Sequence, residues 1–206
     1  MKKHTNARKS PTNNTAKGEV RIIAGLWRGR KLPVLSSQGL RPTGDRVKET
    51  LFNWLMPYIV GAKCLDCFAG SGSLGFEALS RQAEKVTFLE LDKSVANQLK
   101  QNLQQLKCSS AQAEVINQNS LDFLKQPQNA PHFCPQFDLV FLDPPFHFGL
   151  AEQAITLLTQ HNWLLPNALI YVETERDSSL NVPENWLLLK DKSTGQVSYR
   201  LYQKQA

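Results

Sequence analysis

The run Lys63-Cys64-Leu65-Asp66-Cys67-Phe68-Ala69-Gly70-Ser71-Gly72-Ser73-Leu74-Gly75 passes from an apolar strand through an acid into a glycine-rich turn, then into a helix-compatible segment. Strand, tight turn and helix in that order open a β-α-β unit, and open α/β sheets bind ligands at the carboxyl ends of such strands. Glycines at the turn supply unusual dihedrals and let backbone approach a ligand closely. An ordinary strand–helix turn would use glycines too. Two features go beyond it. Asp66 precedes the glycines, which suits a cationic amino group better than a pyrophosphate. Glu90 closes the next apolar strand, at about the roughly 20-residue distance where a carboxylate accepts both hydroxyls of a ribose. No Gly-Lys-Ser/Thr ends the turn, so it is not a phosphate-binding P-loop. The expected ligand is a nucleoside cofactor with no phosphate requirement.

Reading outward from this turn, strands and helices alternate. Lys63–Phe68 is an expected strand, Leu74–Arg81 a helix and Val86–Leu91 a buried strand. Val95, Leu99, Leu103 and Leu106 then mark one face of a helix. Glu114–Asn117 is a short strand and Leu121–Leu124 begins a helix. Phe137–Asp143 is an apolar strand ending in an acid, Leu150–Leu158 a helix and Ala168–Thr174 a strand. Trp186–Lys190 and Val197–Tyr202 close the chain as a strand pair. This alternation predicts a Rossmann-like α/β fold with a mainly parallel sheet covered by helices.

The strand Phe137–Asp143 runs into Asp143-Pro144-Pro145-Phe146. Two prolines stiffen the backbone and remove two N–H donors, so the turn presents acceptors. An exocyclic aromatic amine needs such a partner, because its lone pair is delocalised into the ring and attacks poorly while planar. The Asp143 carboxylate and the Pro144 carbonyl would accept its two N–H groups, and Phe146 would stack on the base. A proline turn that merely ends a core strand is the plainer alternative.

Charge is distributed unevenly. Residues 1–50 hold twelve Lys/Arg against three acids, whereas the remainder holds twelve against fifteen. The stretch Arg21-Ile22-Ile23-Ala24-Gly25-Leu26-Trp27-Arg28-Gly29-Arg30-Lys31-Leu32 interleaves cations with apolar residues and glycines, as a small β-hairpin on a nucleic-acid backbone would. Residues 1–18 are nearly free of apolar side chains and read as a disordered basic tail. Residues 19–57 form the hairpin and a first helix capped by Thr43, with Val47, Leu51, Trp54 and Leu55 on one face and Pro57 ending it. Residues 58–206 form the main domain.

No apolar run approaches the ~18 residues that span a bilayer, and the basic N-terminus lacks the apolar core of a secretory signal. A cytoplasmic protein is expected. Four cysteines do not make a disulfide scaffold. Cys64 and Cys67 have redox or zinc spacing, but residues three apart on a strand face opposite sides of the sheet, and no metal is expected. His4, His132, His147 and His161 have no partner in the sequence, although His147 follows the proline turn and could touch RNA. Trp54, Trp163 and Trp186 read as core; Trp27, in its basic setting, could serve as a base platform.

Together, Asp66–Gly72, Glu90 and Asp143–Phe146 resemble the class I S-adenosylmethionine-dependent amino-methyltransferases. Arg21–Leu32, Leu40-Arg41-Pro42-Thr43, Asp45–Leu55 and Gly195–Tyr202 narrow the resemblance to the bacterial RsmD family, which methylates the N2 amine of one guanine in 16S rRNA. The resemblance spans roughly residues 20–204. It implies a seven-stranded sheet with an antiparallel last strand, S-adenosylmethionine as cofactor and S-adenosylhomocysteine as product. The 16S rRNA would be the partner, within the assembled or nearly assembled small subunit, and the enzyme a monomer.

By position, Asp66, Phe68, Ala69, Gly70, Ser71 and Gly72 would line the methionine end of the cofactor. Glu90 and Leu91 would take the ribose side, Asn119 and Ser120 the adenine, and Thr43 and Arg46 the methionine carboxylate. Asp143, Pro144, Pro145 and Phe146 would form the catalytic turn, with Asp143 also bordering the cofactor. Arg21, Trp27, Arg28, Arg30, Lys31 and Arg41 would meet RNA. Gly44, next to Thr43, is unexpected beside a carboxylate site. Two rivals stay open: adenine-N6 methylation of DNA or RNA, and a non-catalytic rRNA-binding assembly factor. A binding-only protein would have no use for Asp66, Glu90 and Asp143 together.

Overall fold

Alternation of side chains along each strand decides which helices cover which face of the sheet. The structure, a computed structural model, describes residues 17–35, 44–126 and 136–205. In chain order it holds β1 (Lys17–Arg21), a 3-10 turn (Gly25–Trp27), β2 (Lys31–Leu35), α1 (Asp45–Trp54), β3 (Lys63–Asp66), α2 (Ser73–Ser80) and β4 (Lys85–Glu90). There follow α3 (Lys93–Gln105), β5 (Ala113–Asn117), α4 (Ser120–Leu124), β6 (Phe137–Leu142), α5 (Leu150–Gln160), β7 (Leu164–Glu175), β8 (Trp186–Thr194) and β9 (Val197–Lys204).

The main sheet has the order β5-β4-β3-β6-β7-β9-β8. β5 through β7 pair in parallel, and β9 lies antiparallel between β7 and β8. Cys64, Phe141 and Tyr171 point to the face covered by α1, α2, α3 and the β1–β2 hairpin. Leu65, Val140, Leu142, Ile170 and Val172 point to the opposite face, against α4 and α5. Cys64 and Cys67 accordingly pack into different cores, and burial pushes both thiols up. Trp163 and Trp186 are buried, Trp54 stacks on Tyr199 at 5.6 Å, and Trp27 is half-buried against the first core. Among the described residues no helix is long and apolar enough to cross a membrane.

The hairpin is fastened to α2 by a buried carboxylate. Glu77, fully buried, accepts the backbone N–H of Ile23 at 2.8 Å and of Ala24 at 3.1 Å, and Arg81 Nε donates to it at 2.8 Å. Ser80 Oγ accepts the Trp27 N–H at 3.0 Å and donates to the Ala24 carbonyl at 2.6 Å. Gly25 sits at φ +80° where a Cβ would stand 1.9 Å from the Ser80 carbonyl oxygen, so only glycine fits this close approach. Lys48 of α1, also fully buried, donates from Nζ to the Arg21 carbonyl at 2.5 Å and to Ser73 Oγ at 3.3 Å.

Two local expectations are corrected. β1 starts at Lys17, so Lys17 and Gly18 belong to the hairpin and not to the tail. Ladder pairing with Leu35 and Val34 recruits backbone whatever the side chains. Gly44, not Thr43, occupies the cap position of α1: its carbonyl accepts the N–H groups of Val47 at 2.9 Å and Lys48 at 3.1 Å, and among the described residues no side chain caps this helix. Thr43, Arg41 and the tail over residues 1–16 lie outside the described residues.

At the outer edge, β8 shifts register between Leu188 and Lys190, a bulge beside the exposed Leu187 and Leu188. The run Lys190-Asp191-Lys192 follows it.

Candidate active site

The register brings three acids to one end and one face of the sheet. Asp66 pairs with Phe141, and Phe141 with Tyr171. Two residues further along β6 and β7 lie Asp143 and Glu173, on the same face by alternation. All three border a cavity of about 1050 Å³, large enough for a nucleoside cofactor with a second base beside it.

The glycine-rich turn forms the floor. Gly72, at φ +73°, caps α2 in a left-handed conformation, and a Cβ there would press on Phe76 and Leu99 at under 3 Å. Asp66 is buried, and its Oδ2 accepts the Gly75 N–H at 3.0 Å; among the described residues its Oδ1 accepts nothing. Burial pushes this carboxyl up to about 7, with the Gly75 hydrogen bond opposing and the Asp143 and Glu90 charges assisting. A buried acid with an unused oxygen on a cavity wall is a receptor for a cation. Glu90 bridges two loops: Oε2 accepts the Gly70 N–H and Oε1 the Asp92 N–H, each at 2.8 Å. Burial raises its pKa against these hydrogen bonds. Asn119 caps α4 through the N–H groups of Leu121 and Asp122, and Ser120 Oγ donates to the Cys67 carbonyl.

Of the expected cofactor residues, Asp66, Phe68, Ala69, Gly70, Ser71, Glu90, Leu91, Asn119, Ser120 and Asp143 line the cavity. Gly72 shapes the turn from behind. Arg46 is exposed and does not border the cavity; Gly44 and Val47 form that wall instead. The helical period explains this, because positions three apart share a face and the residue between them turns away. Asp143, Pro144, Pro145 and Phe146, expected from the sequence to be catalytic, lie together on the cavity wall at the end of β6, beside Asp66.

Sequence reasoning missed Glu173 and the β8–β9 turn, Thr194–Val197, which complete that wall. The signal for Glu173 was present: like Glu90 and Asp143, it is an acid that follows an apolar run, Leu169-Ile170-Tyr171-Val172, although β7 continues to Glu175. The turn reaches the cavity because β9 runs against its neighbours. Among the described residues, no group of three or more His, Cys, Asp or Glu could hold a metal.

On the hairpin, Arg21, Arg28, Arg30 and Lys31 are exposed. Lys31 is paired to Glu19 at 3.0 Å, on the surface. His147 is exposed at φ +69°, with its backbone N–H and its imidazole Nδ1 both directed to Glu175.

A parallel sheet with β9 reversed, a glycine-rich turn after β3 and an acid-proline turn after β6 define a class I methyltransferase fold. The chain belongs to the RsmD family, whose family model, described as "Conserved hypothetical protein 95", matches residues 20–203. It is 82% identical over 188 residues to "Ribosomal RNA small subunit methyltransferase D" of Haemophilus influenzae, covering 91% of this chain and 95% of that protein. To the protein of the same name from Escherichia coli K12 it is 55% identical, covering 94% of each. A crystal structure from Haemophilus influenzae superposes with a TM-score of 0.80 at 76% identity, covering 92% of this chain and all of that one.

Proposed function

We propose that this protein transfers a methyl group from S-adenosylmethionine to the exocyclic N2 amine of a guanine in small-subunit ribosomal RNA. The observation that carries the reading is one cavity that holds both the buried acid Asp66, one of whose oxygens accepts nothing among the described residues, and the Asp143–Phe146 turn at the end of the neighbouring strand. The names of the relatives support RNA of the small subunit as substrate.

The wall fits the cofactor. Asp66 receives its ammonium, Glu90 its ribose hydroxyls, and Leu91, Asn119 and Ser120 border the adenine. When bound, S-adenosylmethionine supplies a methyl group on a positively charged sulfur. The acids that face the cavity, Asp66, Glu90, Asp143 and Glu173, complement that charge. The target base is extruded from its stack to reach the cavity, and Phe146 stacks on it. The Asp143 carboxylate and Pro144 carbonyl accept the two amine N–H groups, which turns the nitrogen lone pair out of the ring plane. Holding amine and methyl in line supplies much of the acceleration. With the cofactor held there, its methyl would pass to N2, and Asp143 or water would take the amine proton.

Labelled S-adenosylmethionine offered with unmodified 16S rRNA, both free and within small subunits, tests this, with DNA as control and mass spectrometry of the product nucleoside. N2-methylguanosine in RNA is expected. N6-methyladenine would overturn the substrate, and no product despite cofactor binding would overturn the activity.

A further inference from the structure

We infer that Glu173 is the residue that selects guanine, by accepting the ring N1–H while Asp143 holds the adjacent N2 amine; this rests on the proposed guanine-N2 reading. Parallel strands lie about 4.8 Å apart, and the β6–β7 register, which pairs Leu142 with Val172, sets Asp143 beside Glu173. Both border the same cavity. Glu173 is only 5% exposed, and its Oε1 accepts the Tyr171 hydroxyl at 2.7 Å. Among the described residues nothing donates to its Oε2.

A guanine edge presents N1–H and N2–H side by side, a row of donors matched by neighbouring carboxylates. A purine with an amine beside a bare N1 presents a lone pair to Glu173 and is repelled. The groups around Glu173 are Asp143 from β6, Tyr171 on its own strand and Tyr199, opposite it on β9. The β8–β9 turn adds no charge. Burial, reinforced by Asp143, raises the Glu173 pKa against the Tyr171 hydrogen bond. Rising pH therefore converts it to the acceptor that N1–H requires.

Tyr171 fixes the carboxyl from within the core, so the isosteric variant E173Q keeps that hydrogen bond. The change is in recognition: with its oxygen held by Tyr171, Gln turns its amide N–H₂ to the substrate, a donor that suits a bare N1 and opposes N1–H. The substrates are two ligated 16S rRNAs, with guanosine or 2-aminopurine riboside at the position the wild-type enzyme methylates. 2-Aminopurine keeps the amine and lacks N1–H. Wild type is expected to prefer guanosine increasingly as pH rises through about 8, reaching about tenfold or more above it. In E173Q the preference for guanosine is lost and turns toward 2-aminopurine, and the pH trend disappears.

An equal loss on both RNAs, down to background, with calorimetric cofactor binding intact would mean that Glu173 only supports the site, and would overturn the inference. Were E173Q to lose cofactor binding as well, E173D is judged by the same ratio. Failure of wild type to methylate guanosine at N2 overturns the function itself, so the two failures are separate.

Discussion

Under the proposed function, Asp66 joins cofactor recognition to folding stability. Its carboxyl, near 3.8 in the unfolded chain, is held at about 7 in the fold. The folded state thus grips the proton more tightly, and the associated stabilisation is complete below about pH 4 and lost as pH rises through about 7. D66N has no such proton to lose. The melting temperature of ligand-free D66N is expected to gain on wild type between about pH 5 and about pH 8, while its cofactor affinity falls. A difference in Tm that is flat with pH would contradict the assignment. Asp143 stands beside Asp66, at the end of the neighbouring strand. D143A is expected to lower methyl transfer by about a hundredfold or more, with calorimetric cofactor binding near wild type. Wild-type turnover would remove Asp143 from the reaction.

At the level of elements, the hairpin depends on α2. Removing the Glu77 carboxylate orphans two buried N–H groups and the Arg81 guanidinium, so E77A is expected to cost about 3–5 kcal/mol in chemical denaturation. A loss below about 1 kcal/mol would show that the anchor is not needed. The β-α alternation is legible in the sequence because each buried strand is a short apolar run and each covering helix carries apolar residues on one face. The Asp66, Glu90 and Asp143 positions are legible because acids ending such runs stand out. Lys48 and Glu77 are not: their partners are backbone groups 27 and 54 residues away in sequence, and no local pattern encodes them. For Arg46 the sequence reads only that a cation near a helix start suits an anion; the structure adds that its side chain is exposed and does not line the cavity. The β8–β9 turn escapes a local reading because its role follows from the reversal of β9, a property of the whole sheet.

Across the whole molecule, the exposed cations of the hairpin are not among the residues that line the acidic cavity, so under the proposed function RNA binding and cofactor binding draw on charges of opposite sign. Replacing Arg28 and Arg30 by Gln is expected to weaken RNA binding and to reduce its log–log salt slope by about one for each phosphate no longer neutralised. An unchanged slope would place the arm off the backbone. Lys31, already paired to Glu19 on the surface, contributes less on replacement. The bulge at Leu188/Lys190 has a different consequence. β8 is the outermost strand, with Leu187 and Leu188 exposed, and a flat strand of that kind would template pairing with another copy of the chain. The register shift breaks the row of free backbone groups, and Lys190, Asp191 and Lys192 charge the rest, so the chain's solubility at high concentration is guarded by one irregular step in its last-but-one strand.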